Sequence, residues 1–270
     1  MKKRIFTFWE PQENIPGYIS LCMQTWKKFL ADYEVILCDY SNISAYLDKK
    51  IISKILCKKM SLPMQADALR AALINKYGGI WMDADTIITS ADFLKYANGS
   101  DVVMIGRISE GLHGAFIYAT KPKTEFMSKW FSELPHRVFK YRILKKFKFV
   151  RYLFKKEWRA AEKWDYLLNS IINPLAEKMN PPLFSCIDKY AICAFPEYFL
   201  DKNKDNIAKE KLYQDFYFKN GNAEEEILSK SKGIVLLHNS WTPENYKKMK
   251  SDEFLRQDIL LADLLRTLSQ

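Results

Sequence analysis

Long apolar runs are missing from this sequence. No stretch of about 18 apolar residues occurs in its 270 positions, so no transmembrane helix is expected. A secretory leader is not expected either, because Glu10, Gln12, Glu13 and Asn14 interrupt the basic start MKKRIFTFWEPQENIPGY before its apolar stretch is long enough. Cysteine is scarce and unpatterned. Cys22, Cys38, Cys57, Cys186 and Cys193 are odd in number, lie far apart and form no CxxC, which argues against a disulfide framework and a zinc site and for a reducing, cytoplasmic compartment. With only 9 Gly and 10 Pro against 48% hydrophobic residues, the chain reads as globular and not disordered. Internal repeats and a clear linker are lacking too, so residues 1–270 read as one α/β domain.

What is abundant is positive charge, and it is concentrated. Residues 137–159 hold ten Lys/Arg against the single acid Glu157, nearly all of the formal net charge of +10. A local basic patch implies a partner surface more than a general solubility strategy.

Apolar periodicity alternates between strand and helix along the chain. Ile5–Trp9 and Tyr33–Cys38 read as strands flanking an amphipathic helix over about 18–29, and residues 43–59 as one or two short helices. A hydroxyl and an early proline at Ser61-Leu62-Pro63 start a further helix, which Gly78-Gly79 end; its apolar stripe is Leu62, Ala66, Leu69, Leu73, Ile74 and Tyr77. Ile80-Trp81-Met82, 101–107, 115–119, 192–196 and 234–237 read as strands, 122–180 as largely helical, and 201–232 as polar and loop-rich. This alternation predicts a mostly parallel sheet covered by helices.

The chemistry gathers at strand ends. Asp83 and Asp85 are two residues apart, so they can project together where the chain leaves a sheet. That is where ligands collect in open α/β folds, and paired carboxylates suit a hard divalent cation that keeps positions open for phosphate. Alone, such a triplet is also found in solvated turns. Here the flanking strand residues are apolar, and buried acids demand a compensating charge. Asp67 and Arg70 lie one helical turn apart upstream, a spacing that an ordinary surface salt bridge of about a few tenths of a kcal/mol would also explain. His238-Asn239-Ser240-Trp241 follow another apolar strand and offer an imidazole, an amide and a hydroxyl, groups suited to Mn²⁺-like ions and phosphates.

Together these runs resemble the DXD-containing glycosyltransferase family 32, which includes yeast initiating mannosyltransferases and bacterial capsule and lipopolysaccharide enzymes, and more distantly the glucosylating clostridial toxins. The resemblance is carried by Ile5–Trp9, Cys22–Leu37, Gln65–Asp85, Ala191–Phe199 and His238–Trp241. It implies a GT-A (Rossmann-like) nucleotide-sugar-binding fold, a nucleotide-diphosphate sugar donor with UDP-sugars favoured, Mn²⁺ or Mg²⁺, and retention of anomeric configuration. It further implies that Trp9 stacks on the donor base, that Asp67 and Arg70 hold the donor sugar, and that Asp83 and Asp85 bind sugar or ribose and metal. His238 would be a metal ligand, with Asn239, Ser240 and Trp241 closing over the diphosphate. Catalysis would rest on Asp67, Arg70 and Asp83, with the cation and Arg70 stabilising the leaving nucleoside diphosphate. The acceptor would be a saccharide or lipid-linked saccharide of a bacterial surface polysaccharide. His113-Gly114-Ala115-Phe116 and Asn173-Pro174 depart from the family pattern, which leaves sugar choice open and His113 either facing a substrate or idle in a loop.

The interleaved aromatics of 138–158 make an anionic membrane surface the expected partner of the basic patch, and a peripheral place on the inner face of the cytoplasmic membrane follows. The alternative is a solvated helix face whose aromatics sit in the core. A metal-dependent phosphohydrolase would need more ligands than this chain offers. A nucleic-acid-binding protein would need a recognisable module, and none is present.

Overall fold

The computed structural model describes residues 3–97, 99–193 and 205–269. Its first strand, β1 (Lys3–Phe8), buries Ile5, Phe6, Thr7 and Phe8 in succession, which requires both faces of the sheet to be covered. α1 (Gly17–Phe29) leads to β2 (Tyr33–Cys38), and α2 (Lys49–Ile55) and α3 (Leu62–Tyr77) lead to β3 (Gly79–Met82). β4 (Thr86–Ile88), β5 (Val102–Arg107) and β6 (Gly111–Ala119) follow, then the helices α4 (Glu125–Lys146), α5 (Lys148–Leu153), α6 (Lys155–Ala161) and α7 (Asn169–Ala176). β7 (Phe184–Ile187) and β8 (Ile234–Leu236) complete the strands named here.

The main sheet runs β2-β1-β3-β6-β5-β7, and β6 alone is antiparallel to its neighbours, so the expected mostly parallel α/β architecture is present. Alternate residues feed two cores. Phe6, Phe8, Trp81 and Met104 face α3 and α4, while Ile5, Ile80, Met82 and Phe116 pack with Trp26 of α1. A second sheet pairs β4 with β8 antiparallel.

α3 is buried on nearly every side, with Met64, Ala68, Leu69, Ala71, Ala72, Leu73 and Ile74 all inside, so the stripe expected from the sequence is only part of its contact surface. Leu62, assigned to that stripe, is instead 46% exposed. The turn into β3 needs both glycines. Gly78 and Gly79 have φ of +66° and +83°, and a Cβ on Gly79 would lie 2.6 Å from the Arg4 carbonyl oxygen.

Several expectations are corrected. Residues 206–217, expected as loop, form a helix capped by Asp205, whose carboxylate accepts from the Ala208 N–H. Ile192, expected to start a strand, ends a short helix; Cys193 makes one bridge to Ile234, and 194–199 lie outside the described residues. β4 and β7 were not expected, and β6 extends back to Gly111. Among the described residues, no helix is long and apolar enough to cross a membrane.

Candidate active site

β3 delivers the chain to Asp83, and β4 carries it away from Asp85. The short β4 is pinned from α1: Trp26 Nε1 donates to the Thr86 carbonyl at 2.6 Å, and the Ile88 N–H donates to Thr25 Oγ1 at 2.9 Å. Because β4 and β8 are antiparallel with Thr86 opposite Leu236, the start of one strand meets the end of the other. Asp85 thereby adjoins the His238–Trp241 turn. The Leu237 N–H reaches the Asp85 carbonyl at 3.3 Å, and the Asn239 N–H donates to Asp85 Oδ2 at 2.9 Å.

A cleft of about 370 Å³ opens here, and Trp9, Arg70, Asp83, Asp85 and Asn239 line it together with Trp81. Five of the residues singled out in the sequence therefore share one cavity. Asp67 lies buried behind it, with Oδ1 3.3 Å from the Arg70 Nη2 that also sits 3.1 Å from Asp83 Oδ1. The surface-salt-bridge reading of Asp67 and Arg70 fails, since both side chains are buried. Arg70 further lies over the Trp81 ring, 5.1 Å from its centroid, and Trp81 Nε1 donates to Asp83 Oδ1 at 2.8 Å.

His238, Ser240 and Trp241 lie just beyond the cleft lining. The His238 and Trp241 rings are 4.2 Å apart by centroid, with Tyr213 at 5.9 Å from each, while Ser240 is exposed. Asn239 is held by its side chain, whose Oδ1 accepts from the Tyr18 hydroxyl at 2.5 Å.

The electrostatics are lopsided: Asp67 and Asp83 both contact the Arg70 guanidinium, and a third carboxylate, Asp85, lies close enough to feel the charges of Asp83 and Arg70. Burial raises the Asp67 carboxyl to about 7 against the pull of Arg70, with Asp83 adding repulsion. Burial and the Asp83 charge likewise raise Asp85 to about 7, opposed by the Asn239 N–H. Among the described residues, buried Asp67 Oδ2 and Arg70 Nε have no hydrogen-bond partner. The excess of carboxylate over guanidinium at one cleft fits a divalent cation held by Asp83 and Asp85. His238 is lowered to about 4, first by burial and then by His113, so its imidazole is neutral at physiological pH, as a metal ligand must be. Among the described residues, however, no group of three His, Cys, Asp or Glu stands close enough to hold a metal.

Two residues that the sequence marked as a departure from the family pattern, with no role settled, bear on these charges. Burial, then the Lys189 charge, lower His113 on β6 to about 4 against the pull of Asp83, and His113 in turn disfavours a charge on His238. Gly114 is the second: a Cβ there would lie 2.1 Å from Arg70 Nη1 and 2.8 Å from Leu168 Cδ2, so the glycine makes the space that the guanidinium occupies. The break at His113-Gly114 in the family pattern was the one available signal.

A family profile described as capsular polysaccharide synthesis protein matches residues 1–216. No curated protein matches the sequence. Solved structures similar to it include the glycosyltransferase GlyE of Streptococcus pneumoniae TIGR4, 13% identical over 100% of this chain and 60% of that one, with a TM-score of 0.47. The galactosyltransferase LgtC, in complex with donor and acceptor sugar analogues, is 6% identical over 99% of this chain and 96% of that one, with a TM-score of 0.42. Mouse xyloside xylosyltransferase 1 in its apo form is 10% identical over 89% and 99% respectively, with a TM-score of 0.41. The chain spans 60% of the length of GlyE.

Proposed function

Since this chain belongs to the capsular polysaccharide synthesis protein family, we propose that it is a metal-dependent glycosyltransferase, moving a sugar from a nucleotide-diphosphate donor to a saccharide or lipid-linked saccharide acceptor. The observation that carries this reading is the cleft in which Asp83 and Asp85 face Trp9, with Arg70 between them and Asp67. UDP-sugars are the favoured donors and Mn²⁺ or Mg²⁺ the favoured ion.

The residues divide the work. Asp83 and Asp85 would hold the cation, and a bound cation supplies Lewis-acid neutralisation of the donor diphosphate. Trp9 offers an aromatic face for the base. Arg70 is fixed by Asp67, Asp83 and the Trp81 ring, so its charge is already in place when the bond from the sugar to the diphosphate breaks. Asn239, anchored by Tyr18, presents its backbone N–H to Asp85 and closes one side of the cavity. The acceptor hydroxyl attacks the anomeric carbon on the face the diphosphate leaves, and its proton passes to the departing phosphate, giving retention. A reducing cytoplasmic setting suits the five free cysteines.

The test is donor hydrolysis with a panel of UDP- and GDP-sugars and Mn²⁺, with Asp85→Ala as control. Cleavage of one donor, lost in the variant, is expected; no cleavage, or cleavage indifferent to the substitution, overturns the proposal. The anomeric configuration of the product, read by NMR, tests retention separately.

A further inference from the structure

We propose that the tip built from the end of α4, α5 and α6 is a docking surface for an anionic phospholipid bilayer. This rests on the surface alone and not on the reaction proposed above. α4 is secured on one side only: Val138, Tyr141 and Leu144 are buried, the Tyr141 hydroxyl donates to the Lys59 carbonyl, and Arg142 donates to the Ser53 and Leu56 carbonyls. The other aromatics do not follow Tyr141 inward. Phe149 is 72% exposed, Tyr152 67%, Phe139 60% and Leu153 57%, with Phe147 and Phe154 about half exposed. The core-facing alternative thus accounts for Tyr141 and the half-buried Trp158 but leaves a cluster of large apolar side chains in water, which a soluble surface rarely carries.

Charge identifies the occupant. Lys146, Lys148, Lys155, Lys156 and Arg159 are exposed among those rings, and Glu157 is the only acid in the segment. Rings that enter the headgroup region beside long cationic chains that reach lipid phosphates are the composition of an interfacial anchor. A protein partner offering an apolar face alone would leave the lysines unanswered. The anchor is also coupled to the cleft: the stretch that Tyr141 and Arg142 clamp, ending at Lys59, runs directly into Leu62 and Pro63 of the cleft wall. Docking would therefore hold the cavity in one attitude to the bilayer.

The experiment is co-sedimentation of the full chain with vesicles of equal parts phosphatidylglycerol and phosphatidylcholine, against phosphatidylcholine alone, in low and high salt. Binding confined to the anionic vesicles and weakened by salt is expected. Each cation near the surface contributes about fivefold to partitioning, so Lys146→Gln/Lys148→Gln/Lys155→Gln/Lys156→Gln should lose on the order of a hundredfold or more. Phe149→Ser/Tyr152→Ser/Leu153→Ser should also release the protein while its circular dichroism and melting temperature stay those of the parent. The inference is overturned by no binding to anionic vesicles, by equal binding to phosphatidylcholine, or by variants that bind as the parent does. Self-association abolished by the aromatic variant, in a protein that ignores vesicles, would assign the face to a second copy instead. Donor hydrolysis, measured without vesicles, should be unchanged in both variants.

Discussion

Replacing Asp85 by Asn leaves the hydrogen bond from the Asn239 N–H in place, because the amide oxygen accepts it as the carboxylate does, yet it removes a charge the fold disfavours. Burial and Asp83 lift the Asp85 carboxyl from 3.8 to about 7. At 1.36 kcal/mol per pH unit the full shift corresponds to about 4 kcal/mol. Asp85 keeps some surface in the cleft, and solvent screening there brings the expected effect to about 2 kcal/mol. The native carboxyl binds its proton more tightly than the unfolded one, so the native state holds more protons between about pH 4 and 7 and stability falls as pH rises across that window. Metal-free Asp85→Asn should accordingly match the parent near pH 4, gain on it up to about pH 7, and stay ahead above, by roughly 4–8 °C in melting temperature. Urea unfolding in chelator at stepped pH measures this. In Mn²⁺ the parent should recover and the variant should not. A variant no more stable than the parent at alkaline pH, or an advantage independent of pH, would refute the charge argument.

Gly114→Ala should fold but displace the Arg70 guanidinium, lowering kcat by on the order of tenfold to a hundredfold with little change in circular dichroism, because the lost contact is with developing charge. Trp81→Phe removes the donor 2.8 Å from Asp83 Oδ1 and should weaken Mn²⁺ binding several-fold in calorimetry while lowering stability by about 1 kcal/mol. Tyr18→Phe should release the Asn239 side chain and raise donor KM more than it lowers kcat. With a thiol reagent, half-buried Cys57 and Cys186 should react first. Buried Cys22, Cys38 and Cys193 should lag, since burial raises all three thiols, Cys38 and Cys193 to about 12.

Elements whose own chemistry is decisive were legible in the sequence. The Ser61-Leu62-Pro63 start, the Gly78-Gly79 stop and the short apolar stretches of β1 and β2 needed no knowledge of their neighbours. The helix Asn206–Tyr217 escaped notice because only Tyr213 and Tyr217 are buried, which leaves almost no apolar period to read. β4 and β7 are too short for a pattern, and pairing with β8 and β5 is what makes them strands. In the site, the pairs close in sequence, Asp67 with Arg70 and Asp83 with Asp85, were visible as pairs. That Gly114 gives way to Arg70, and that His113 lies within reach of the Asp83 charge, follow from β6 lying antiparallel beside β3, and register between distant strands leaves no local trace.

The β4–β8 pairing also sets a schedule. Asp83 and Asp85 leave the ribosome long before Ile234–Leu236, so for most of synthesis the acid pair has its sheet and its arginine but no opposite wall. Asn239 arrives only when β8 docks. A nascent or clipped chain ending before that strand would keep the whole main sheet and the core under α3 and α4, yet lose Phe254 and Leu260 to Leu268 from the core around Tyr18 and lack the side of the cavity that Asn239 closes. The cavity is thus closed by a late pairing, β8 against β4, and not by the main sheet that bears its acids.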